Sequence, residues 1–178
     1  MSLELRYHVT LDAALRQELT EVYAEVRAPL LHLPNYGIEA FAGRLDRHLA
    51  DPGFGIVLGY EGGQPVGYAY GNTVGARDPY WQRLAEPLAE GGPTVPALAI
   101  KEIGVRPPWR GTGAARRIHD GLLAERTEET VMLMVNPLAG DGKVQRVYES
   151  WGYRRFNSQS ATAASPELAA MVRPNRPA

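Results

Sequence analysis

The amino-acid sequence predicts an α/β protein, of the α+β type, with a mixed, mostly antiparallel central sheet of about seven strands and helices on both faces. Two observations predict this class. An apolar segment over residues 97–105, a helical pattern over 111–124 and an apolar segment over 131–135 form one βαβ unit, whose strands should be parallel. Strand-like residues 54–60 and 65–71 flank a Glu-Gly-Gly-Gln sequence, which indicates an antiparallel hairpin. Parallel and antiparallel pairs together require a mixed sheet.

The remaining periodic segments place the elements in the order β-α-α-β-β-β-α-β-α-β-β. Residues 3–10 are predicted to form the first strand, and helices over 12–28 and 38–50 follow it. Residues 75–96 contain several Gly and Pro residues and are expected to form a loop with one short helix. The last predicted elements are a helix over 143–151 and strands over 153–157 and 168–173.

Composition limits the class of protein further. With 44% apolar and 22% charged residues, residues 1–178 are expected to fold as one globular domain. The sequence has no cysteine, which excludes disulfides, thiolate metal sites and a catalytic thiol. The net charge of −1 and the lack of a long apolar run predict neither a nucleic-acid nor a membrane partner. We expect a cytoplasmic protein without a metal, and the sequence is compatible with a homodimer.

One segment carries a chemical signal. The predicted strand that ends at Val105 is followed by Pro107-Pro108 and then by Arg110-Gly-Thr-Gly113 at the start of a helix. The first N–H groups of a helix lack internal partners and carry the positive end of its dipole, and glycines let an anion approach them closely. This predicts a site for a phosphate or pyrophosphate, against the alternative of an ordinary strand-to-helix turn with a solvated basic face. Four arginines and no acidic residue lie here: Arg106, Arg110, Arg116 and Arg117.

Two common phosphate-binding motifs are disfavoured. A Walker loop needs Gly-x4-Gly-Lys-Ser/Thr, which the sequence lacks. A dinucleotide-binding turn needs a third glycine where this chain has Arg116, and it follows its strand directly, without an intervening Pro-Pro-Trp. A nucleotide-binding α/β protein is therefore the least favoured interpretation.

The segment resembles motif A of the GNAT superfamily of acetyl-CoA-dependent N-acyltransferases. That pattern is an apolar strand, Val-x-Pro and Arg/Gln-x-x-Gly-x-Gly/Ala, matched here by Val105-Arg-Pro107 and Arg110-Gly-Thr-Gly-Ala-Ala115. A second family motif, an apolar strand and then a helix ending in Tyr-x-x-x-Gly-Phe/Tyr, is similar to residues 131–135 and Tyr148-Glu-Ser-Trp-Gly-Tyr153. The resemblance spans residues 3–173. It implies a GNAT-like fold with splayed parallel strands at the cofactor site, and acetyl-CoA as the co-substrate.

The resemblance also implies how the cofactor is held. Its pantetheine arm would pair with the backbone of Ile103, Gly104 and Val105, and a glycine inside a strand independently suggests a close backbone approach. Asn136 or Asp141 would lie near the cofactor, since Asp141 stands where the family often has Asn and Asn136 stands at a strand end. The pyrophosphate would be bound by Arg110, Gly111, Thr112, Gly113, Ala114 and Ala115.

The implied reaction is direct attack of an amine on the thioester. No covalent relay is predicted, because the serines show no Gly-x-Ser-x-Gly motif and cysteine is absent. Glu102 is the candidate base, acting through water, since an alkyl amine with a pKa of about 10 must first lose a proton. Tyr148 matches the family's general-acid tyrosine. The structural alternatives are a solvated or salt-bridged strand glutamate and a tyrosine within the apolar stripe of Val144, Val147 and Trp151.

The predicted function is that of an enzyme, an N-acetyltransferase that transfers an acetyl group from acetyl-CoA to a primary amine of a small molecule. The alternatives are acetylation of a protein N-terminus or lysine, and a non-catalytic acyl-CoA-binding module. His119, on the helix after the phosphate-binding segment, is expected at the surface. The candidate acceptor-binding residues are His32, Tyr36, Tyr70, Tyr80 and Trp81.

Overall fold

The computed structural model describes residues 2–160 and 165–176. The order of its elements is the predicted one. Short 3-10 turns occur at Ala28–Leu30, Trp81–Arg83 and Pro107–Trp109. The strands and helices are β1 (Glu4–His8), α1 (Ala13–Val26), α2 (Ile38–Ala50), β2 (Gly55–Glu61), β3 (Gln64–Val74), β4 (Ala97–Val105), α3 (Ala114–Ala124), β5 (Thr130–Val135), α4 (Lys143–Ser150), β6 (Arg154–Gln159) and β7 (Leu168–Pro174).

The seven strands form one mixed sheet in the order β1-β2-β3-β4-β5-β7-β6. The pairs β1/β2, β2/β3, β5/β7 and β6/β7 are antiparallel, and β4/β5 is parallel. The predicted hairpin and the predicted βαβ unit are therefore both confirmed. The parallel ladder joins Ala97–Ile100 to Thr130–Leu133, whereas β4 continues to Val105 and β5 to Val135. The paired stretch is thus shorter than either strand.

The helix predicted over residues 111–124 begins later than expected, at Ala114. Gly111 and Gly113 have φ angles of 74° and 85°, which a right-handed helix excludes. The residues before α3 therefore form a separate turn between Pro107–Trp109 and the helix. The anion-binding segment predicted from the sequence is this turn together with the first turn of α3.

The chain divides into two compact units, of which the first comprises Met1–Asn72 and Lys101–Arg126. Both faces of β2 are covered within it. On one face α3 contacts the strand, since a Cβ at Gly59 would lie 2.8 Å from Cδ1 of Ile118. On the other face, α1 and α2 pack through a core of Leu19, Val22, Tyr23, Val26, Phe41, Leu45, Phe54, Ile56, Leu58, Tyr60, Tyr68 and Tyr70.

The second unit comprises Thr73–Ile100 and Thr127–Ala178. All of α4 is described, and none of its residues is buried. Val144 and Val147 are 38% and 44% exposed, so the apolar stripe predicted on this helix is not a core stripe as a whole. The core of this unit is built from Val74, Tyr80, Ala97, Ala99, Met132 and Val172.

Within the described ranges, no helix combines the length and the apolar character that a membrane span requires.

Candidate active site

The turn before α3 presents a helix N-terminus to solvent. Residues 111–113 are exposed, and the N-cap residue Gly113 supplies no side-chain hydrogen bond to the helix. The Thr112 hydroxyl points back into the turn, where it donates to the carbonyl of Trp109 at 2.6 Å and accepts from the N–H of Ala114 at 3.4 Å. Apart from this long bond from Ala114, the N-cap position leaves the N–H groups of the first turn of α3 without a side-chain acceptor, so they can donate to an anion.

Three contacts from β4 and the turn hold this segment in place. The N–H of Arg106 donates to the carbonyl of Val66 at 2.8 Å, and the indole N–H of Trp109 donates to Glu61 Oε2 at 2.9 Å. The Arg110 guanidinium donates to the carbonyl of Val26, the last residue of α1, at 3.0 Å. Hydrogen bonds to three different elements thus fix the turn before any ligand binds.

The four arginines that the sequence suggests as compensating charge each have a protein partner. Arg110 contacts the end of α1, as described above. Arg106 pairs with Glu25 at 3.3 Å, and Arg116 pairs with Asp120 at 3.7 Å. Nη2 of Arg117 donates to the carbonyl of Leu3 at 3.1 Å. An anion at this helix therefore meets chiefly backbone N–H groups and the helix dipole.

Glu102 lies in an ion-paired cluster on β4. Its Oε1 accepts from Nη2 of Arg27 at 2.9 Å, its Oε2 lies 3.5 Å from Nη2 of Arg44, and its side chain is 12% exposed. Burial alone would lower the pKa of both arginines, but the Glu102 charge, with the Tyr23 hydroxyl at Arg44, outweighs it and raises them. The carboxylate is therefore held between two cations, which is the salt-bridged alternative read from the sequence.

Sequence reasoning missed Arg27 and Arg44, although one signal was present for Arg44. On α2 it falls three residues after Phe41 and one before Leu45, both of which are fully buried. Residues three and four apart share a helix face, so Arg44 and His48 interrupt an apolar stripe. Polar groups on such a stripe need buried partners, and these are Glu102 and Tyr70.

A layer of tyrosines surrounds the same cluster. Tyr23 Oη donates to the carbonyl of Tyr36 at 2.9 Å, and Tyr70 Oη lies 3.2 Å from Nδ1 of His48. Tyr68 Oη is buried and has no hydrogen-bond partner among the described residues. Burial, and then the nearby Glu102 charge, raises the pKa of both Tyr68 and Tyr70, so both phenols are neutral at pH 7.

Gly104 marks a close approach, but one made by the protein itself. An added Cβ would lie 2.6 Å from Cγ1 of Val26 and 3.5 Å from Oη of Tyr68. The strand glycine therefore allows α1 to pack directly on the backbone of β4. Of its neighbours, Ile103 is half-buried and Val105 is buried, and the Val105 side chain packs against Gly67 of β3.

In the second unit, Asn136 and Asp141 both belong to the turn between β5 and α4. Asn136 Oδ1 accepts from the N–H of Leu138 at 2.9 Å. Asp141 is exposed, has a φ of 55°, and its carbonyl accepts from Nη2 of Arg146 at 3.3 Å. Each residue therefore helps to shape the turn.

Tyr148 is half-buried on α4, in an aromatic cluster of the second unit. Its ring meets the rings of Trp151 and Tyr153 edge-on, at centroid distances of 5.4 and 5.9 Å. These two contacts fix the orientation of the ring, and they would persist in a phenylalanine variant. The ring of Tyr148 is thus oriented by its contacts with Trp151 and Tyr153. The helix that carries Tyr148 has no buried residue.

The candidate acceptor-binding residues fall in both units. In the first unit, His32 is exposed and Tyr36 is half-buried in the connection between α1 and α2, whereas Tyr70 is fully buried. In the second, Tyr80 is 4% exposed, and Trp81 donates its indole N–H to the carbonyl of Gly75 at 2.8 Å. The burial of Tyr70 and Tyr80 favours packing roles for both.

The expectation that His119 lies at the surface is wrong. His119 is 0% exposed on α3, and its Nδ1 lies 2.8 Å from Oδ1 of Asp120. The buried face of α3 includes His119 together with the apolar residues Ile118 and Leu122. It is therefore wider than the apolar stripe that the sequence shows.

A mixed sheet with a parallel β4/β5 pair and a strand-turn-helix segment between these two strands define the class of this protein as α/β. The model of the acetyltransferase (GNAT) family matches residues 11–153. The chain therefore belongs to the GNAT family of acetyltransferases, and the resemblance read from its two motifs is confirmed. A comparison with curated proteins finds no match.

Solved structures share the fold. A protein described as a GNAT-family acetyltransferase from Desulfovibrio desulfuricans has a TM-score of 0.69 at 15% identity, over 98% of this chain and 100% of that one. An aminoglycoside 6'-acetyltransferase type Ii has 0.66 at 15%, over 100% and 99%. YncA from Salmonella typhimurium, determined with its cofactor acetyl-CoA, has 0.60 at 14%, over 100% and 96%. At these identities the likeness shows the fold alone.

Proposed function

We propose that this acetyltransferase is an N-acetyltransferase that transfers the acetyl group of acetyl-CoA to a primary amine of a small molecule. The observation that carries the proposal is the N-terminus of α3, where Gly111 and Gly113 adopt left-handed conformations and where, within the described residues, the side-chain cap is limited to the 3.4 Å bond from the Ala114 N–H to the Thr112 hydroxyl. A GNAT chain with this turn is suited to the pyrophosphate of coenzyme A.

The residues of the turn fit the donor. With the side chains of Arg106, Arg110, Arg116 and Arg117 engaged by protein, the pyrophosphate would be bound by the N–H groups of residues 111–115. An added Cβ at Gly111 or Gly113 would meet no atom within 4 Å, so a ligand has room at both positions. The pantetheine arm would pair with the backbone of Ile103 to Val105.

When bound, acetyl-CoA supplies the acetyl group as a thioester. A new bond joins the amine nitrogen to the carbonyl carbon, the carbon–sulfur bond breaks, and coenzyme A leaves as the thiol. The amine must lose a proton, which Glu102 accepts through water, and the sulfur must gain one, which Tyr148 donates. The partial exposure of Glu102 and of Tyr148 supports access of both groups to reactants.

A small-molecule acceptor is preferred over a protein N-terminus or lysine. Structural neighbours of equal identity name both kinds of acceptor, an aminoglycoside for one and an alanine of ribosomal protein S18 for another, so the choice between them is left to the acceptor assay below. The chain has both a candidate base, Glu102, and a candidate acid, Tyr148. This favours an enzyme over a non-catalytic acyl-CoA-binding module.

Two measurements test the proposal. The Tm of the protein should rise with acetyl-CoA but not with NAD or ATP, because a ligand that binds only the native state stabilises it. Thiol release should then appear with acetyl-CoA plus small amines. A thermal shift without thiol release from any small amine or peptide would indicate a binding module, and release with peptides alone would indicate a protein acetyltransferase.

A further inference from the structure

The cluster around Glu102 carries a net positive charge that a simple amine acceptor does not require. Two guanidiniums, Arg27 and Arg44, face one carboxylate, and their side chains are 29% and 26% exposed. The charge balance of the cluster is therefore +1 at neutral pH. An acceptor with a second ammonium group would be repelled here, and an anion would be attracted.

The two guanidiniums keep unused hydrogen-bonding capacity. Each presents about five N–H donors. Among the described residues they make three hydrogen bonds: Arg27 to Glu102, and Arg44 to the carbonyl of Asn35 and to the hydroxyl of Tyr23. Most of their donors thus have no protein acceptor in the described part of the chain, and Nε of Arg27 is buried without one.

The cluster is also tied to the segment where the acceptor is expected. Nη1 of Arg44 donates to the carbonyl of Asn35 at 2.5 Å, and Tyr23, which accepts from Arg44, donates to the carbonyl of Tyr36. The connection between α1 and α2 is therefore anchored to the arginine pair. A substrate group that contacts this connection would lie close to two forked cations.

The surrounding field has the same sign. The pKa of His48, on the face of α2 that also carries Arg44, is lowered to about 4, first by burial and then by the charge of Lys101, with Arg47 and Arg44 adding to the effect and Asp51 opposing it. His48 is consequently neutral at pH 7. Positive charge around α2 thus comes from arginine and lysine, and it persists over the physiological pH range.

We infer that the acceptor is an amine that also carries an anionic group, a carboxylate or a phosphate, and that Arg27 and Arg44 bind this group. A guanidinium fork matches either oxyanion in two parallel hydrogen bonds. In this arrangement Glu102 does not bind the substrate ammonium. The inference rests on the proposed function and names the substrate class of that same site.

Matched pairs of acceptors test the inference with the wild-type protein. Thiol release from acetyl-CoA is measured for phenylalanine against phenethylamine, lysine against cadaverine, β-alanine against ethylamine, and aminoethyl phosphate against ethanolamine. We expect kcat/KM to be at least about tenfold higher for one acceptor that carries a carboxylate or phosphate than for its partner without the anionic group. The carboxylate and phosphate arms identify which anion is preferred.

Variants then assign the effect to the arginines. Arg44→Gln should raise KM for the preferred anionic acceptor by about tenfold and leave KM for acetyl-CoA near wild type. Arg44→Lys, which keeps the charge but not the fork, should give an intermediate KM. Arg16→Gln is the matched control, because Arg16 pairs with Asp46 at 2.7 Å between the same two helices and does not contact Glu102.

Three results would overturn the inference. If the amines without an anionic group react as well as or better than every partner that carries one, the inference is overturned while the proposed function stands. A rise in KM for acetyl-CoA alone in Arg44→Gln would assign the arginine to the donor instead. If no amine of either kind is acetylated, the proposed function fails and this inference fails with it.

Discussion

A Cβ atom added to Gly104 would lie 2.6 Å from Cγ1 of Val26. A side chain at position 104 would therefore clash with the last residue of α1. Helix α1 therefore packs on the backbone of β4 within the first unit. Gly104 lies two residues after Glu102, and Val26 directly precedes Arg27.

Gly104→Ala should destabilise the protein by about 1–3 kcal/mol, because the new methyl group overpacks a filled site. Val26→Ala in the same chain removes the atoms that clash, so the double variant should lose less than the sum of the two single variants. Urea unfolding of the four proteins measures this coupling. Simple additivity would mean that Val26 is not what requires a glycine here.

Gly113→Ala should weaken acetyl-CoA binding. The φ of 85° costs an alanine about 1–2 kcal/mol, with no steric clash within 4 Å to add to it, so the turn relaxes away from its ligand-binding shape. Gly62→Ala is the control, since Gly62 has a φ of 56°, equally open surroundings, and a place in the β2/β3 hairpin. Both variants should lose similar stability, and calorimetry should show a raised acetyl-CoA Kd for Gly113→Ala only.

Glu102→Gln should lower kcat by about 10²-fold or more, as expected for loss of a general base, and should abolish the acidic limb of the pH–rate profile. Binding of acetyl-CoA should stay near wild type. Glu25→Gln is the control, because it removes the exposed carboxylate that pairs with Arg106. If Glu102→Gln lost stability but kept its kcat, the glutamate would be only a partner for Arg27 and Arg44.

Tyr148→Phe should lower kcat by about 10²-fold while the acetyl-CoA Kd and the Tm remain close to wild type. The phenylalanine ring retains both edge-on contacts with Trp151 and Tyr153, so only the hydroxyl is tested. Stopped-flow thiol release measures the chemical step. An unchanged kcat would remove Tyr148 from the chemistry and leave it as a packing residue.

The free energy of unfolding should fall as the pH drops from about 6.5 to about 4, in part because of His48. Its pKa is lowered from 6.5 to about 4 in the folded protein, mainly by burial. Between these two pH values the unfolded chain therefore binds a proton that the native state does not bind. The stabilisation is present above the unfolded pKa and lost below it. His48→Gln should flatten this part of the pH dependence, whereas exposed His32→Gln should not.

Much of the fold could be read from the sequence because its signals are local. Helix α2 was predicted with its observed bounds, since a single apolar stripe ends at Asp51-Pro52-Gly53. Strand β4 was predicted equally well from a mostly apolar segment that contains Lys101 and Glu102. The start of α3 was misplaced by three residues, because the sequence alone does not reveal that Gly111 and Gly113 have positive φ angles.

The site was predicted less completely, because its partners are distant in sequence. Glu102 and Arg27 are separated by 75 positions, and no local pattern links them. The role of Gly104 as a close-approach residue was foreseen, but the partner, Val26, lies on a helix far earlier in the chain. The burial of His119 depends on how α3 meets the sheet, which its own periodicity does not define.

The end of α1 also sets where the length of this chain can vary. Val26 and Arg27 together contact Gly104, Arg110 and Glu102, so one helix turn is in register with both the strand and the turn before α3. Deleting one residue within Ala13–Val26 would rotate this end by about 100° and break all three contacts at once. The connection between Ala28–Leu30 and α2 is not helical, so a change in its length does not rotate the residues at the end of α1. We therefore expect insertions to be tolerated best between that turn and α2, provided that they spare the carbonyls of Asn35 and Tyr36, which accept hydrogen bonds from Arg44 and Tyr23.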